Sequence, residues 1–237
     1  MAHIPRVYLS GRLGPGPLFI EGDGARRLGA VMRMREGQQF RVFAGDGREW
    51  AATVRAVGKA TVHAEIADIV RQEPANPLVV ELWCALVRPN RFDWAIEKCV
   101  EAGADIIRPL ICEHSARGDG GSAARQERWR RIAVEAAEQS GRLYLPVVEP
   151  PAAFESLVAR GSIPLFVGDR DGRPWSDAAT LLPMAGRVAM AVGPEGGFSA
   201  EELRRARGAG AVTVTFGPHI LRTETAAVVA TALLRTR

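Results

Sequence analysis

Two segments in the last third of the chain, Val192-Gly193-Pro194-Glu195-Gly196-Gly197-Phe198-Ser199 and Phe216-Gly217-Pro218-His219-Ile220-Leu221-Arg222-Thr223-Glu224-Thr225-Ala226, each join an apolar run to a helical pattern. The runs before them, 188–192 and 212–216, are rich in Val and other aliphatic residues and are bounded by Gly or Pro, the pattern of a buried strand. After the first segment, Ser199 followed three residues later by Glu202 predicts a capping box that opens a helix through Arg207. After the second, Thr223 or Thr225 is the expected cap of a helix running to Leu234. Two strand-to-helix loops of this kind constrain the fold to an open α/β sheet, with both loops on the rim at the carboxyl ends of the strands, where ligands bind.

The loops also exclude two common chemistries. The first lacks the Gly-Lys-Ser/Thr ending that holds phosphates and Mg²⁺ in a P-loop, and no G-x-G-x-x-G opens a helix after a strand anywhere in the chain. Nucleotide hydrolysis and hydride transfer are therefore disfavoured. Cys84, Cys99 and Cys112 are odd in number and embedded in apolar patterns, which points to buried thiols rather than a disulfide framework, and with four scattered histidines no metal site is suggested.

The chain divides by texture. Short strand-like runs at 6–9, 39–43, 49–54 and 61–66 recur between turn signals that include Gly45-Asp46-Gly47, as in a small β-barrel. Gln72-Glu73-Pro74-Ala75-Asn76-Pro77 then breaks the pattern, and from Leu78 onward strands alternate with helices, as in a mainly parallel sheet covered on both faces. The expected domains are 1–73 and 74–237. No stretch is apolar for the roughly 18 residues of a membrane span, and the first residues carry no signal-peptide core, so a cytosolic location is expected.

The formal charge of +4 favours an anionic partner only mildly. Arginine clusters sharpen this: Arg26, Arg27, Arg33 and Arg35 lie in one segment, and Arg125, Arg128, Arg130 and Arg131 in another. The chain has only two lysines, Lys59 and Lys98, so abundant arginine is equally a habit of the whole sequence.

The two C-terminal loops, GPEGGFSAEE and FGPHILRTETAAV, resemble those of the SPOUT superfamily of knotted methyltransferases, within it the family that methylates uridine N3 in ribosomal RNA. Upstream, Arg91-Phe92-Asp93-Trp94-Ala95-Ile96-Glu97-Lys98-Cys99-Val100-Glu101-Ala102-Gly103 and Glu135-Ala136-Ala137-Glu138-Gln139-Ser140-Gly141-Arg142 are similar to further segments of that family, so the resemblance runs from about Leu82 to the end. It implies a C-terminal domain with a deep trefoil knot, a PUA-like N-terminal RNA-binding barrel, a homodimer, and S-adenosylmethionine-dependent methylation of one uridine in 16S ribosomal RNA, presented as naked RNA or as an assembled small subunit. The N-terminal match is looser. The helix 25–37 keeps the basic residues and a following glycine but not the histidines that the family tends to show.

By the same resemblance, the cofactor is surrounded by Gly193, Pro194 and Gly197 of the first loop. Phe216, Gly217, Ile220, Leu221 and Thr225 belong to the second, and Val167 and Gly168 to a third that follows a strand at 163–168. Arg222 is the expected cation for the carbonyl oxygens of the uridine, over which the N3 anion spreads. An ion pair with Glu224, or a contact at the helix start, would account for it equally. Glu195 or Glu224 is the expected proton acceptor, although a carboxylate at a helix N-terminus is also a dipole partner. Arg26, Arg27, Arg33 and His219 are the candidate RNA contacts. His219 stands where the family more often has arginine, and it would meet phosphate only when protonated. The rival expectations are a non-catalytic RNA-binding or ribosome-assembly protein, and a sibling enzyme that methylates ribose or guanine.

Overall fold

The computed structural model describes residues 4–115, 121–161 and 163–236, which form two compact units. The first comprises residues 1–75 together with 137–145, and the second 76–136 and 146–237.

The first unit is a five-stranded sheet in the order β1-β3-β4-β5-β2, with β1 Arg6–Tyr8, β2 Gly16–Ile20, β3 Gln39–Phe43, β4 Arg48–Val57 and β5 Val62–Gln72. All pairings are antiparallel except β1 with β3. Val7, Ile20, Leu28, Phe40, Val42, Trp50, Val54 and Val62 fill its core. The β3–β4 hairpin turns through Gly45 and Gly47, both at positive φ, as the sequence predicts. Strand β2 carries no such signal, because its alternation is short and its flank is Gly14-Pro15-Gly16-Pro17. The basic helix 25–37 is not one regular helix. A short helix α1, Gly22–Arg26, runs into a π-helical turn, Arg27–Val31, and the chain leaves it through Arg33 at φ 53°.

Residues 137–145 are tied into this unit by polar contacts that no linear boundary would include. The Arg6 guanidinium donates to the carbonyls of Glu138 at 2.6 Å and Arg142 at 3.1 Å, pairs with Glu49, and lies 4.6 Å from the centre of the Phe43 ring. Buried Glu138 accepts from the Tyr8 amide at 2.7 Å and pairs with Arg27.

The second unit is a seven-stranded, wholly parallel sheet. Its elements in chain order are β6 Leu78–Ala85, α2 Pro89–Ala102, β7 Ile106–Ile111, α3 Ala123–Ser140, whose last four residues belong to the first unit, β8 Val147–Val148, β9 Ala152–Ala153, α4 Phe154–Arg160, β10 Leu165–Pro174, α5 Trp175–Ala178, β11 Gly186–Val192, α6 Ala200–Gly208, β12 Val212–Thr215 and α7 Thr223–Arg235. The strand order is β12-β10-β11-β6-β7-β8, with β9 beside β7. Central β6 and β11 are buried along most of their length, so both read as continuous apolar runs. Trp83, Ala85, Ala189 and Ala191 face a core completed by Phe154, Leu157 and Val158 of α4 and Ala206 of α6. Helices α2 and α7 pack on each other, and α7 lies against β6 and β11.

No helix among the described residues is long and apolar enough to cross a membrane, and no group of three His, Cys, Asp or Glu side chains there could hold a metal ion. Cys84, Cys99 and Cys112 are buried and free. Burial pushes the Cys99 and Cys112 thiols up to about 12 and raises Cys84 well above its usual value, with Cys99 and Cys112 adding repulsion there. A raised thiol pKa leaves almost no thiolate at neutral pH, and the thiolate is the nucleophile. Native protein at pH 7 is expected to resist iodoacetamide and to take three alkyl groups once unfolded, read as mass shifts. Rapid labelling of the folded protein would contradict it.

Candidate active site

A cavity of about 600 Å³ opens outside the carboxyl ends of β10, β11 and β12. Its walls come from the loops that follow these strands and from the start of α7, the rim on which the sequence places both glycine segments.

The first loop is held by local bonds. Gly197, at φ 71°, donates its amide to the Pro194 carbonyl at 2.8 Å. The capping box is formed: the Ser199 hydroxyl accepts from the Glu202 amide at 3.2 Å, and the Glu202 carboxylate accepts from the Ser199 amide at 2.8 Å. The other oxygen of this buried carboxylate accepts from the Glu113 amide at 3.0 Å, which fastens α6 to the turn after β7. A Cβ on Gly193 would sit 3.1 Å from the Phe198 ring, which stacks on Phe154, so a side chain there would push on the core beneath the loop.

The second loop differs from the expectation at its end. Helix α7 begins at Thr223 with Arg222 as its N-cap residue, and no side chain caps it. The Thr223 hydroxyl instead donates to the Gly193 carbonyl at 3.0 Å and ties the two loops together, and Thr225 is exposed on the helix. The third wall comes from an irregularity in β10. Its pairing with β12 shifts register between Gly168 and Arg173, which throws Asp169 and Arg170 out of the ladder and into the cavity lining. A Cβ on Gly168 would lie 3.0 Å from the Phe216 ring, so a side chain there would press on the aromatic wall of the cavity.

Gly168, Gly193, Pro194, Gly197, Phe216, Gly217, Ile220 and Leu221 line the cavity, as do Glu195, His219 and Arg222. Val167 is fully buried in the sheet, and neither it nor Thr225 reaches the lining. Ile220 is 81% exposed, far from a core residue, and stands at the mouth. Arg222 is exposed and has no ion-pair partner among the described residues. Glu224 is buried and off the lining, and its charged neighbour is Arg91, at 3.7 Å. Arg91 also stands 3.5 Å from Glu195. Neither Arg91 nor Asp169 stands out as a site residue in the sequence, since one acts through a tertiary contact and the other through a register shift. His114, on the turn after β7, places Nδ1 3.2 Å from the Gly197 carbonyl and was likewise not legible.

In the first unit, Arg26 and Arg33 are exposed, Arg26 with only a loose pair to Asp23 at 3.4 Å. Arg27 is bound to Glu138. Of the second cluster, Arg128 donates to Asp93 at 2.8 Å and Arg130 pairs with Glu127 at 3.6 Å.

A parallel sheet with an apolar, glycine-walled cavity beyond its strand ends, bearing a few charged groups and no phosphate cradle, is the frame of a cofactor-dependent α/β enzyme. Residues 74–235 match the model of the RNA methyltransferase domain, and residues 20–67 that of the RNA methyltransferase PUA domain. The chain is 34% identical to the ribosomal RNA small subunit methyltransferase E of Synechocystis, over 86% of this chain and 68% of the relative. It is 31% identical to the protein of the same name from Bacillus subtilis, over 89% and 86%. Among solved structures, a putative methyltransferase from Legionella pneumophila in complex with the bound cofactor SAM aligns at 32% identity and a TM-score of 0.89, covering 99% of this chain and 98% of that one. The ribosomal RNA small subunit methyltransferase E of Neisseria gonorrhoeae bound to S-adenosyl methionine aligns at 29% and 0.86, covering 98% and 97%. The chain belongs to the ribosomal RNA small subunit methyltransferase E family.

Proposed function

We propose that the protein methylates the N3 nitrogen of one uridine in the RNA of the small ribosomal subunit. The coarser statement, that it is an S-adenosylmethionine-dependent ribosomal RNA methyltransferase, follows from its family. The observation that carries the finer reading is the rim of the cavity, where Arg222 and Glu195 stand free of the sheet beside walls that suit the cofactor.

The cavity volume lies in the range of cofactor sites. Val192, Pro194, Phe216, Ile220 and Leu221 offer apolar surface for an adenine, and the backbone of the glycine loops offers hydrogen bonds. Asp169 adds a carboxylate suited to hydroxyls or an ammonium group. When bound, S-adenosylmethionine supplies an electrophilic methyl group on a sulfonium. The chain's own residues then orient the acceptor and manage its proton. Arg222, exposed at the N-cap of α7 and without an ion pair among the described residues, donates to the uridine carbonyl oxygens and stabilises the charge that develops there. Glu195, on the lining, accepts the N3 proton directly or through water.

The same reading assigns RNA binding to residues 1–73 and catalysis to 74–237, with a trefoil knot at the cofactor loops, a homodimer in the cytoplasm and an assembled subunit or naked 16S RNA as substrate. Arg26, paired only loosely with Asp23, and Arg33 are exposed cations of the basic segment, and His219 lies on the cavity lining. Replacing Arg26 and Arg33 together by alanine is expected to lower the slope of log affinity against log salt by roughly 1.5. Arg27→Ala should act on stability instead, because it strips buried Glu138 of its cation. An unchanged slope in the double variant would remove this segment from the RNA face.

The deciding experiment is transfer of labelled methyl from S-adenosylmethionine to unmodified small subunits and, in parallel, to naked 16S RNA, with mass spectrometric mapping of the product nucleoside. N3-methyluridine establishes the reaction and identifies the substrate form. A methylated ribose or guanine would assign a sibling activity, and tight RNA binding without transfer would make the protein a binding module.

A further inference from the structure

Arg91 lies in the first turn of α2, yet its guanidinium serves the cavity built by β10, β11 and β12. Its Nη1 is 3.5 Å from Glu195 Oε1, and its Nε is 3.7 Å from Glu224 Oε1. The two carboxylates differ in setting. Glu195 belongs to the first glycine loop, is about half exposed and lines the cavity. Glu224 sits at the second position of α7, is 8% exposed and stays off the lining. Its Oε2 is closed off from solvent and has no hydrogen-bond partner among the described residues. A buried carboxylate in this state depends on the cation beside it.

Helix α2 is a firm base for that cation. Phe92, Ile96, Cys99 and Val100 bury its inner face, and the helix packs on α7. We infer that Arg91 is a positioning residue of the cavity: anchored on the buried carboxylate of Glu224, it holds Glu195, and with it the first glycine loop, against the start of α7. This rests on the reading of the cavity as the cofactor site. It also separates the two candidate proton acceptors, because Glu195 touches the cavity and Glu224 acts on it through Arg91. The bond from Thr223 to the Gly193 carbonyl joins the same two segments without charge, so loss of Arg91 loosens the loop rather than releasing it.

The test is a set of variants of the full chain, Arg91→Gln, Arg91→Lys, Glu195→Gln, Glu224→Gln and the pairs Arg91→Gln with Glu224→Gln or with Glu195→Gln. Each is titrated with S-adenosylmethionine by calorimetry and assayed for methyl transfer. Arg91→Gln is expected to weaken cofactor binding roughly tenfold, with Arg91→Lys recovering most of the loss. Adding Glu224→Gln to Arg91→Gln should cost no further affinity, because the anchor then has nothing left to hold, and should recover stability by removing the carboxylate left without a cation. Adding Glu195→Gln should cost nothing further, because the bridge is already broken. Unchanged affinity in Arg91→Gln, or losses that simply add in both pairs, would overturn the assignment. If the unmodified protein fails to bind S-adenosylmethionine, the cofactor reading falls. The bridge is then judged by the melting temperatures of the same variants, where additive shifts overturn it and non-additive shifts sustain it.

Discussion

Arg222→Ala is expected to lower the rate of methyl transfer about a hundredfold while leaving S-adenosylmethionine affinity within about threefold, the signature of a group that meets charge only in the transition state. The side chain is exposed at the N-cap of α7 and makes no ion pair among the described residues, so its removal opens no cavity and strands no partner. The cap itself does not rest on it, because no side chain caps this helix. Arg222→Lys keeps the charge but loses the planar fork that can reach two oxygens, and it should recover only part of the rate. Single-turnover rates at saturating cofactor, with calorimetric affinities in parallel, separate chemistry from binding. A loss of cofactor affinity that matches the loss of rate would make Arg222 a part of the cofactor wall instead.

What could be read from the sequence follows the range of the interactions. The capping box of Ser199 and Glu202 and the Gly45 and Gly47 turn are set by residues within a few positions of one another, and each forms where the pattern places it. The strands of the parallel sheet were legible because burial on both faces makes them continuous apolar runs. Thr223 shows where this stops. A threonine before a helical run is locally a cap, yet its hydroxyl goes to Gly193, thirty positions away, which only the packed loops bring within reach. The inclusion of residues 137–145 in the first unit has the same origin, since Arg6 and Tyr8 find their partners about 130 positions on. Asp169 and Arg170 were hidden for another reason. The strand reading stopped at Gly168, whereas the chain continues to Pro174 through a register shift that turns those two side chains into the cavity. Charge alone could not sort the arginines either, because Arg26 and Arg27 are neighbours, one exposed and the other committed to Glu138.

Glu81→Ala should damage stability strongly although it lies away from the cavity, lowering the unfolding free energy by about 3 kcal/mol. Glu81 lies in the middle of β6 and is 1% exposed. One carboxylate oxygen pairs with Arg187, and the other accepts from the Trp83 indole at 2.9 Å and faces Arg108 at 3.6 Å. Removing the carboxylate leaves Arg108, only 16% exposed, with the more distant Glu149 at 3.9 Å, and leaves the indole N–H of a buried tryptophan without its acceptor. Arg187 is about half exposed and turns to water, which holds the expected cost at the low end of the range for broken buried pairs. Glu81→Gln keeps an acceptor for Trp83 and should cost less. Replacing Glu81, Arg108 and Arg187 together by leucine or methionine should recover most of the loss, because no charge of this cluster is then left to be compensated. Urea unfolding with an unchanged slope tests the series, and S-adenosylmethionine affinity well below the melting temperature should stay put throughout, since no member of this cluster lines the cavity proposed for the cofactor. Equal stability of Glu81→Ala and the unmodified chain would mean that water satisfies Arg108 and Trp83 as well as the carboxylate does, and that the charge within β6 contributes nothing net to the fold.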